Sequence, residues 1–135
     1  ATVESVTDGD TVVLNIDGTS ERVRLLGIDT PETVDPDEPV GCYGPEASAL
    51  LKELLPTGTT VSVVRDRQAR DPYGRLLLYL VAPDGTLVNE QILAAGAARR
   101  LSIEPNTALA DRLAASESKA RQDGRGLWSA CPAPS

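Results

Sequence analysis

The chain has 135 residues, of which 41% are hydrophobic, so it is long and apolar enough for one domain with its own core. A net charge of −7 excludes the broad basic surface on which sequence-independent binding of nucleic acid depends. Histidine is absent, which excludes the commonest general base, and no apolar run approaches the ~20 residues of a membrane-spanning helix.

Hydrophobic periodicity and turn residues predict five strands and about three helices. The predicted elements are strands over residues 2–7, 10–16 and 21–28, a helix that opens at residues 44–46, strands over residues 59–65 and 75–82, a helix over residues 87–95, and a last helix from Asn106 or Thr107 to about Gln122. Asp17-Gly18 is a hairpin signal, and residues 33–41 form an acidic, proline-bearing loop. The order predicts an α+β, mainly β fold, a five-stranded Greek-key barrel of the OB type, in one domain over residues 1–135.

Two acidic residues lie at the ends of the predicted hairpin. Asp10 begins one strand and Asp29 ends its partner, and in a hairpin centred on residues 17–20 these positions share one end of the sheet. Taken alone, Asp8-Gly-Asp10 is typical of a turn, and Asp29-Thr-Pro of a strand that ends in a proline turn. Together they favour a cation site, because neighbouring carboxylates repel unless a cation lies between them. An all-oxygen site without histidine suits a hard cation such as Ca²⁺.

Two arginines complete the candidate site. Arg24 lies in the apolar segment Val23–Leu26, where a guanidinium is costly, so it is either paired with Glu21 or Asp29 on a solvent-facing strand or has a function. Arg75 stands at the start of a later strand, where it is either a surface arginine or a second phosphate ligand. Carboxylates that hold a hard cation and two guanidinium groups are what is needed to bind and break a phosphodiester.

The two cysteines, Cys42 and Cys131, are either unrelated thiols or one disulfide that pins the C-terminus. We expect the disulfide, because Cys131 lies beside prolines at the chain end, with little core to bury it. The chain begins with alanine instead of methionine, which favours a matured N-terminus. We expect a secreted or cell-envelope protein.

Six motifs resemble the staphylococcal nuclease (thermonuclease) family in order and in spacing. They are Asp8-Gly-Asp-Thr11, Val23-Arg-Leu-Leu-Gly-Ile-Asp-Thr-Pro-Glu32, Tyr43-Gly-Pro-Glu-Ala47, Asp71-Pro-Tyr-Gly-Arg75, Val88-Asn-Glu90 and Gly126-Leu-Trp128. The resemblance covers about residues 3–129 and leaves residues 130–135 as a C-terminal tail. It implies a calcium-dependent nuclease that hydrolyses DNA and RNA at the bond to the 5′ oxygen and leaves 3′-phosphate ends.

The resemblance also implies a role for individual side chains. The residues concerned are Asp10, Asp29 and the backbone oxygen of Thr30 as metal ligands, Asp8 near the ion, and Arg24, Glu32 and Arg75 as the catalytic group. In this scheme the carboxylate of Glu32 orients or deprotonates the attacking water. The two arginines stabilise the charge that grows on the phosphate during in-line attack.

Two departures from the family pattern lower the affinity for substrate that we expect. Pro72 stands where well-known members carry a lysine, and residues 99–104 lack the tyrosines that cover the nucleotide base. Tyr73 is retained as a substrate-binding residue. Stacking of a base on an aromatic ring contributes about 1–3 kcal/mol, so we expect weaker binding here. Arg99 and Arg100 are either ordinary surface charges or a partial replacement.

Two other functions stay open at this point. One is a barrel of the same fold that binds nucleic acid or another ligand without cutting it. The other is an extracellular interaction module whose acidic cluster holds structural calcium. The presence of every acidic and arginine residue of the motifs favours the nuclease. We expect a monomer whose substrates are DNA and RNA, preferably single-stranded.

Overall fold

A five-stranded sheet that closes on itself forms the body of the protein. The structure is a computed structural model that describes residues 1–31 and 41–131. The elements are β1 (Thr2–Asp8), β2 (Thr11–Ile16), β3 (Thr19–Leu25), β4 (Ile28–Asp29), α1 (Gly44–Leu54), β5 (Ser62–Arg70), β6 (Leu76–Val81), α2 (Val88–Ala94), β7 (Arg99–Arg100), α3 (Ala110–Gln122) and α4 (Leu127–Ala130).

The strand order in the sheet is β1-β2-β3-β6-β5. Neighbouring strands are antiparallel except β3 and β6, which pair in parallel. The segment that leads into β5 hydrogen-bonds to the start of β1, since the Val3 N–H donates to the Thr59 carbonyl at 2.9 Å and the Val61 N–H to the Ala1 carbonyl at 2.8 Å. This closure, with helices after β4 and after β6, confirms the predicted α+β, OB-fold-like barrel.

The hairpin of β2 and β3 forms where Asp17-Gly18 predicts it. Both turn residues have positive φ, 52° and 86°, which matches the right-handed twist of the flanking strands. Alternate side chains of the two strands enter the core, and Val12, Leu14 and Val23 are fully buried. The alternation fixes which face is inward, because a slip of one residue would expose all of these side chains.

The core is aliphatic, and Tyr79 is the one aromatic residue among the buried hydrophobic residues of the described ranges. Asn89, at the start of α2, is the buried polar residue that ties the layers together. Its side-chain oxygen accepts the Leu80 N–H at 2.9 Å, and its amide nitrogen donates to the carbonyls of Leu26 at 2.8 Å and Leu78 at 3.3 Å. These bonds satisfy the buried N–H of Leu80 and give a partner to the carbonyls of Leu26 and Leu78, next to the parallel pair of β3 and β6.

Three boundaries differ from the sequence prediction. The third strand breaks at Gly27, whose φ is +81° and whose position a side chain could not occupy without meeting Leu113. The segment predicted as a polar connection after residue 65 continues as strand to Arg70. The helix predicted from Asn106 or Thr107 is α3 and begins at Ala110, because the side chain of Asn106 exchanges hydrogen bonds with the backbone of Gln68 (2.7 and 3.0 Å) instead of capping a helix.

Cys42 and Cys131 form the predicted disulfide, with their Cα atoms 5.8 Å apart. The bond joins the segment before α1 to the end of α4 across 89 positions of sequence. The acidic loop predicted over residues 33–41 lies, except for Gly41, outside the described residues. Within the described ranges no helix is both long and apolar enough to cross a bilayer. The assignment of residues 1–135 to a single domain stays a prediction.

Candidate active site

A polar pocket lies where β2 begins and β3 ends. Its volume is about 310 Å³. Its walls are Thr7, Asp8, Asp10, Thr11, Arg22, Arg24, Asp29, Thr30 and Arg75. Three carboxylates and three guanidinium groups therefore face one another in a single concave surface, in a protein whose net charge is strongly negative.

The register of the hairpin brings the two predicted acidic positions together. Thr11 pairs with Arg24 across β2 and β3, and the Leu25 N–H donates to the carbonyl of Asp10 at 2.9 Å. Asp10 thus lies beside the end of β3, and after the break at Gly27 the short strand β4 carries Asp29 back to the same place. Sequence positions 10 and 29 become neighbours through local chain geometry.

Arg24 is the centre of this group. Its Nη2 lies 3.5 Å from Asp10 Oδ2 and 3.6 Å from Asp29 Oδ1, and its Nη1 donates to the carbonyl of Leu25 at 2.8 Å. The guanidinium is buried, so these contacts offset the cost of removing its charge from water. The predicted alternative partner, Glu21, instead pairs with Arg70 at 2.6 Å.

Asp10 is fixed from several sides. Its Oδ2 accepts the Thr30 N–H and its Oδ1 accepts the Thr11 hydroxyl, both at 3.0 Å. Gly9 allows this approach, because a Cβ there would come within 3.0 Å of the Thr30 side chain. Asp8 is also buried and its Oδ1 accepts the Gly9 N–H at 2.7 Å. The first acidic motif is therefore a rigid, hydrogen-bonded turn.

Arg75 enters the pocket from a different part of the chain. The parallel pairing of β3 with β6 sets Val23 opposite Leu76, which places Arg75, one residue earlier, alongside Arg22 on β3. Asp71 then holds its side chain, since Asp71 Oδ2 accepts Arg75 Nε at 2.7 Å. Burial would raise the pKa of Asp71, but hydrogen bonds from the backbone and guanidinium of Arg75 outweigh it and hold that pKa below its usual value.

Some predicted site residues do not line the pocket. Tyr73 is 74% exposed, and its ring lies under the Arg75 guanidinium, 5.6 Å from centroid to Cζ. Arg99 pairs through its backbone with Asp29, while its guanidinium lies over the ring of Trp128 at 5.2 Å. Arg100 lines a separate small cavity near Asn106. Their roles in substrate binding stay predictions.

Glu32 lies outside the described residues, so its predicted catalytic role stays a prediction. The roles assigned to the other residues of the motifs also stay predictions, although their side chains share one pocket. Sequence reasoning missed Arg22 and Asp71. Asp71 could have been found from the Asp-Pro-Tyr-Gly pattern, because an aspartate before Pro and Gly commonly accepts the backbone N–H groups of a turn.

The donor atoms around Arg24 fit a hard divalent cation. They are carboxylate, hydroxyl and carbonyl oxygens, which calcium prefers. The hydroxyl of Thr30 is buried and has no hydrogen-bond partner in the described part of the chain, so no group of residues 1–31 or 41–131 satisfies this oxygen at the pocket. Within residues 1–31 and 41–131 no group of three or more acidic, histidine or cysteine side chains is arranged so that it could hold a metal ion by itself. A cation here would depend on other ligands such as water and substrate oxygens.

Comparison with known proteins points to the same family as the sequence motifs. The family model described as staphylococcal nuclease homologue matches residues 22–130. Thermonuclease from Staphylococcus hyicus is 38% identical over 124 residues, which cover 92% of this chain and 72% of that protein. Thermonuclease from Staphylococcus intermedius is 38% identical, with 93% and 74% covered. Endonuclease YncB from Bacillus subtilis is 39% identical, with 95% and 61% covered.

Proposed function

The chain belongs to the staphylococcal nuclease family and is a nuclease, and we propose that its polar pocket hydrolyses phosphodiester bonds of DNA and RNA with calcium bound. The observation that carries the proposal is the convergence of Asp10 and Asp29 on Arg24, with Arg75 facing the same space. Carboxylates and guanidinium groups that lie this close together suit a site that must bind both a cation and a phosphate.

We assign the metal to Asp10, Asp29 and the backbone oxygen of Thr30, with Asp8 supporting the turn beside them. A calcium ion held by these oxygens would supply Lewis-acid polarisation of the phosphate and would lower the pKa of a bound water. The protein's part is to hold the carboxylates in place. The hydrogen bonds from Thr11 and Thr30 do this for Asp10, while the side chain of Asp29 is 61% exposed to solvent at the mouth.

Arg24 and Arg75 bind the phosphate in this proposal. A guanidinium offers five N–H donors in one plane. Within residues 1–31 and 41–131, Arg75 uses its Nε–H to bind Asp71 and its two terminal nitrogens donate to no protein acceptor, so they face the pocket as donors for a phosphate. Donors held in advance around the phosphate cost no reorganisation as charge grows during in-line attack. Asp71 is a positioning residue here, because it acts on the reaction through Arg75.

Glu32 is proposed to orient or deprotonate the attacking water. An unperturbed glutamate has a pKa of about 4.3 and is a weak base at neutral pH, so orientation of the water contributes as much as proton removal. The chain holds no histidine. The pH dependence of kcat should therefore lack an imidazole inflection near ~6.5, and the appearance of one would contradict this assignment.

The proposal is tested by digestion of heat-denatured DNA with calcium and then with excess chelator. We expect cleavage that stops with chelator and products whose 3′ ends lose inorganic phosphate to a phosphatase. A fall in melting temperature on chelation without any cleavage would instead indicate a structural cation. Persistent cleavage in chelator would exclude a metal-dependent reaction.

Two variants test the proposed roles. Arg75→Ala should lower kcat by about 10²–10³-fold, the loss typical of one transition-state donor, and Arg65→Ala is the control because Arg65 is exposed and outside the pocket. Glu32→Gln should slow turnover strongly and leave calcium binding measurable by calorimetry. Rates near wild type in either Arg75→Ala or Glu32→Gln would remove that residue from the mechanism.

We also propose a secreted or cell-envelope protein, in keeping with the disulfide. We propose a monomer that prefers single strands. Weak, local binding is expected because Pro72 replaces the family's lysine and the net charge is negative. The affinity for single-stranded DNA should therefore change little with salt, and a steep dependence on salt would contradict this expectation.

A further inference from the structure

Arg22 lines the same pocket as Arg24 and Arg75, although nothing in the motifs assigns it a role. It lies two positions before Arg24 on β3, and side chains two apart on a strand point to the same face. Arg24 is buried at the floor, whereas Arg22 is exposed at the mouth. The two guanidinium groups therefore follow one another along the strand from the inside of the pocket to solvent.

Arg22 also contacts the turn that carries Arg75. Its Nη2 donates to the carbonyl of Tyr73 at 2.7 Å, across 51 positions of sequence. A guanidinium has five N–H donors, so this bond leaves most of them available. The contact holds Arg22 on the side of the pocket where the exposed ring of Tyr73 stands.

The two other arginines of the pocket have acidic partners, but within the described ranges Arg22 has none. Arg24 lies against Asp10 and Asp29, and Arg75 is held by Asp71, whereas no carboxylate of residues 1–31 or 41–131 comes within 4.0 Å of the Arg22 nitrogens. In a chain with a net charge of −7, an exposed arginine at the mouth of the pocket, without an acidic partner in the described ranges, attracts an anion locally.

We propose that Arg22 binds a phosphate next to the one that is cut, so that the pocket holds two consecutive phosphates of a strand. This rests on the proposed nuclease function. Residues two apart on a strand are separated by about 6.6 Å, which is comparable with the spacing of neighbouring phosphates along a single strand. Proteins that bind single strands use such grooves of positive charge to follow the backbone.

The test uses three substrates that differ by one phosphate. They are a thymidine dinucleotide with its single phosphodiester, the same dinucleotide with an extra 5′ phosphate, and the same dinucleotide with an extra 3′ phosphate. We expect Arg22→Gln to raise KM about tenfold for one of the two phosphorylated substrates, which corresponds to about 1.4 kcal/mol. KM for the plain dinucleotide and kcat for all three should stay near wild type.

Arg22→Lys keeps the charge and should restore most of the lost affinity, while Arg65→Gln is the matched control on β5, outside the pocket. An equal loss on all three substrates would overturn the proposal and make Arg22 a structural support of the 71–75 turn. No change on any substrate would overturn it as well. If wild-type protein with calcium cleaves none of the three and no longer strand, the proposed function fails and this inference fails with it.

Discussion

Replacing Asp71 with asparagine should separate the shape of the 71–75 turn from the orientation of Arg75. Asp71 Oδ1 accepts the backbone N–H groups of Tyr73 and Arg75, both at 2.9 Å, while Oδ2 accepts Arg75 Nε at 2.7 Å. Asparagine keeps one oxygen for the two backbone donors, but its NH₂ group cannot accept a bond from the guanidinium. The turn should persist while Arg75 loses its charged partner.

The expected size of the effect follows from these contacts. A hydrogen bond to a charged group contributes about 1.5–3 kcal/mol, and partial exposure of Arg75 (25%) places this one at the low end. We expect the free energy of unfolding to fall by about 1–2 kcal/mol. A released guanidinium must be ordered again in the transition state, so kcat should fall by about 10–100-fold, or about 1.4–2.8 kcal/mol, with a smaller change in KM.

The assay is the rate of cleavage of denatured DNA with calcium, with stability measured by urea unfolding. Asp84→Asn is the matched control, because Asp84 Oδ1 accepts the Thr86 N–H at 2.9 Å in a similar turn outside the pocket. The same substitution should also be made in the Arg75→Ala background, where it should cost almost no further rate. Equal rate losses in both backgrounds would refute the claim that Asp71 acts through Arg75.

The pKa of Asp71 gives this prediction a pH dependence. Burial acts to raise that pKa, but the bonds from Arg75 dominate and the folded value lies below the ordinary 3.8. A lowered folded pKa means that the stabilisation is complete above the unfolded pKa and is lost as the pH falls through the folded one. The stability difference between wild type and Asp71→Asn should be constant at neutral pH and shrink below about pH 4.

Three further substitutions test the scaffold by urea or thermal unfolding. Tyr79→Phe removes the hydroxyl that donates to Asp66 at 2.7 Å and should cost about 1.5–3 kcal/mol; an unchanged midpoint would contradict it. Asn89→Ala leaves buried backbone groups without partners and should cost about 2–4 kcal/mol, more than an exposed asparagine would. Joint replacement of Cys42 and Cys131 by serine should lower stability by up to about 4–5 kcal/mol, and reductant should then have no further effect.

The local sequence was sufficient to predict the β2–β3 hairpin and to identify the family. Alternating apolar residues on both sides of Asp17-Gly18 fix the pairing of β2 with β3, and this pairing brings Asp10 near Asp29. Such contacts are short in sequence, so turn chemistry and a period of two residues predict them. The cysteine pairing was also predictable, because Cys131 lies beside prolines with little core to bury it.

The tertiary structure decided how Arg75, Arg22 and Asp71 meet. The parallel pairing of β3 with β6 joins segments about fifty residues apart, as the bond from Arg22 to the Tyr73 carbonyl shows, and no periodicity within either strand encodes it. For the same reason the sequence misplaced the start of the last helix, because the partner of Asn106 is the distant backbone of Gln68. Contacts between remote segments depend on the packing of the whole barrel, whereas the composition of each segment determines only its local form.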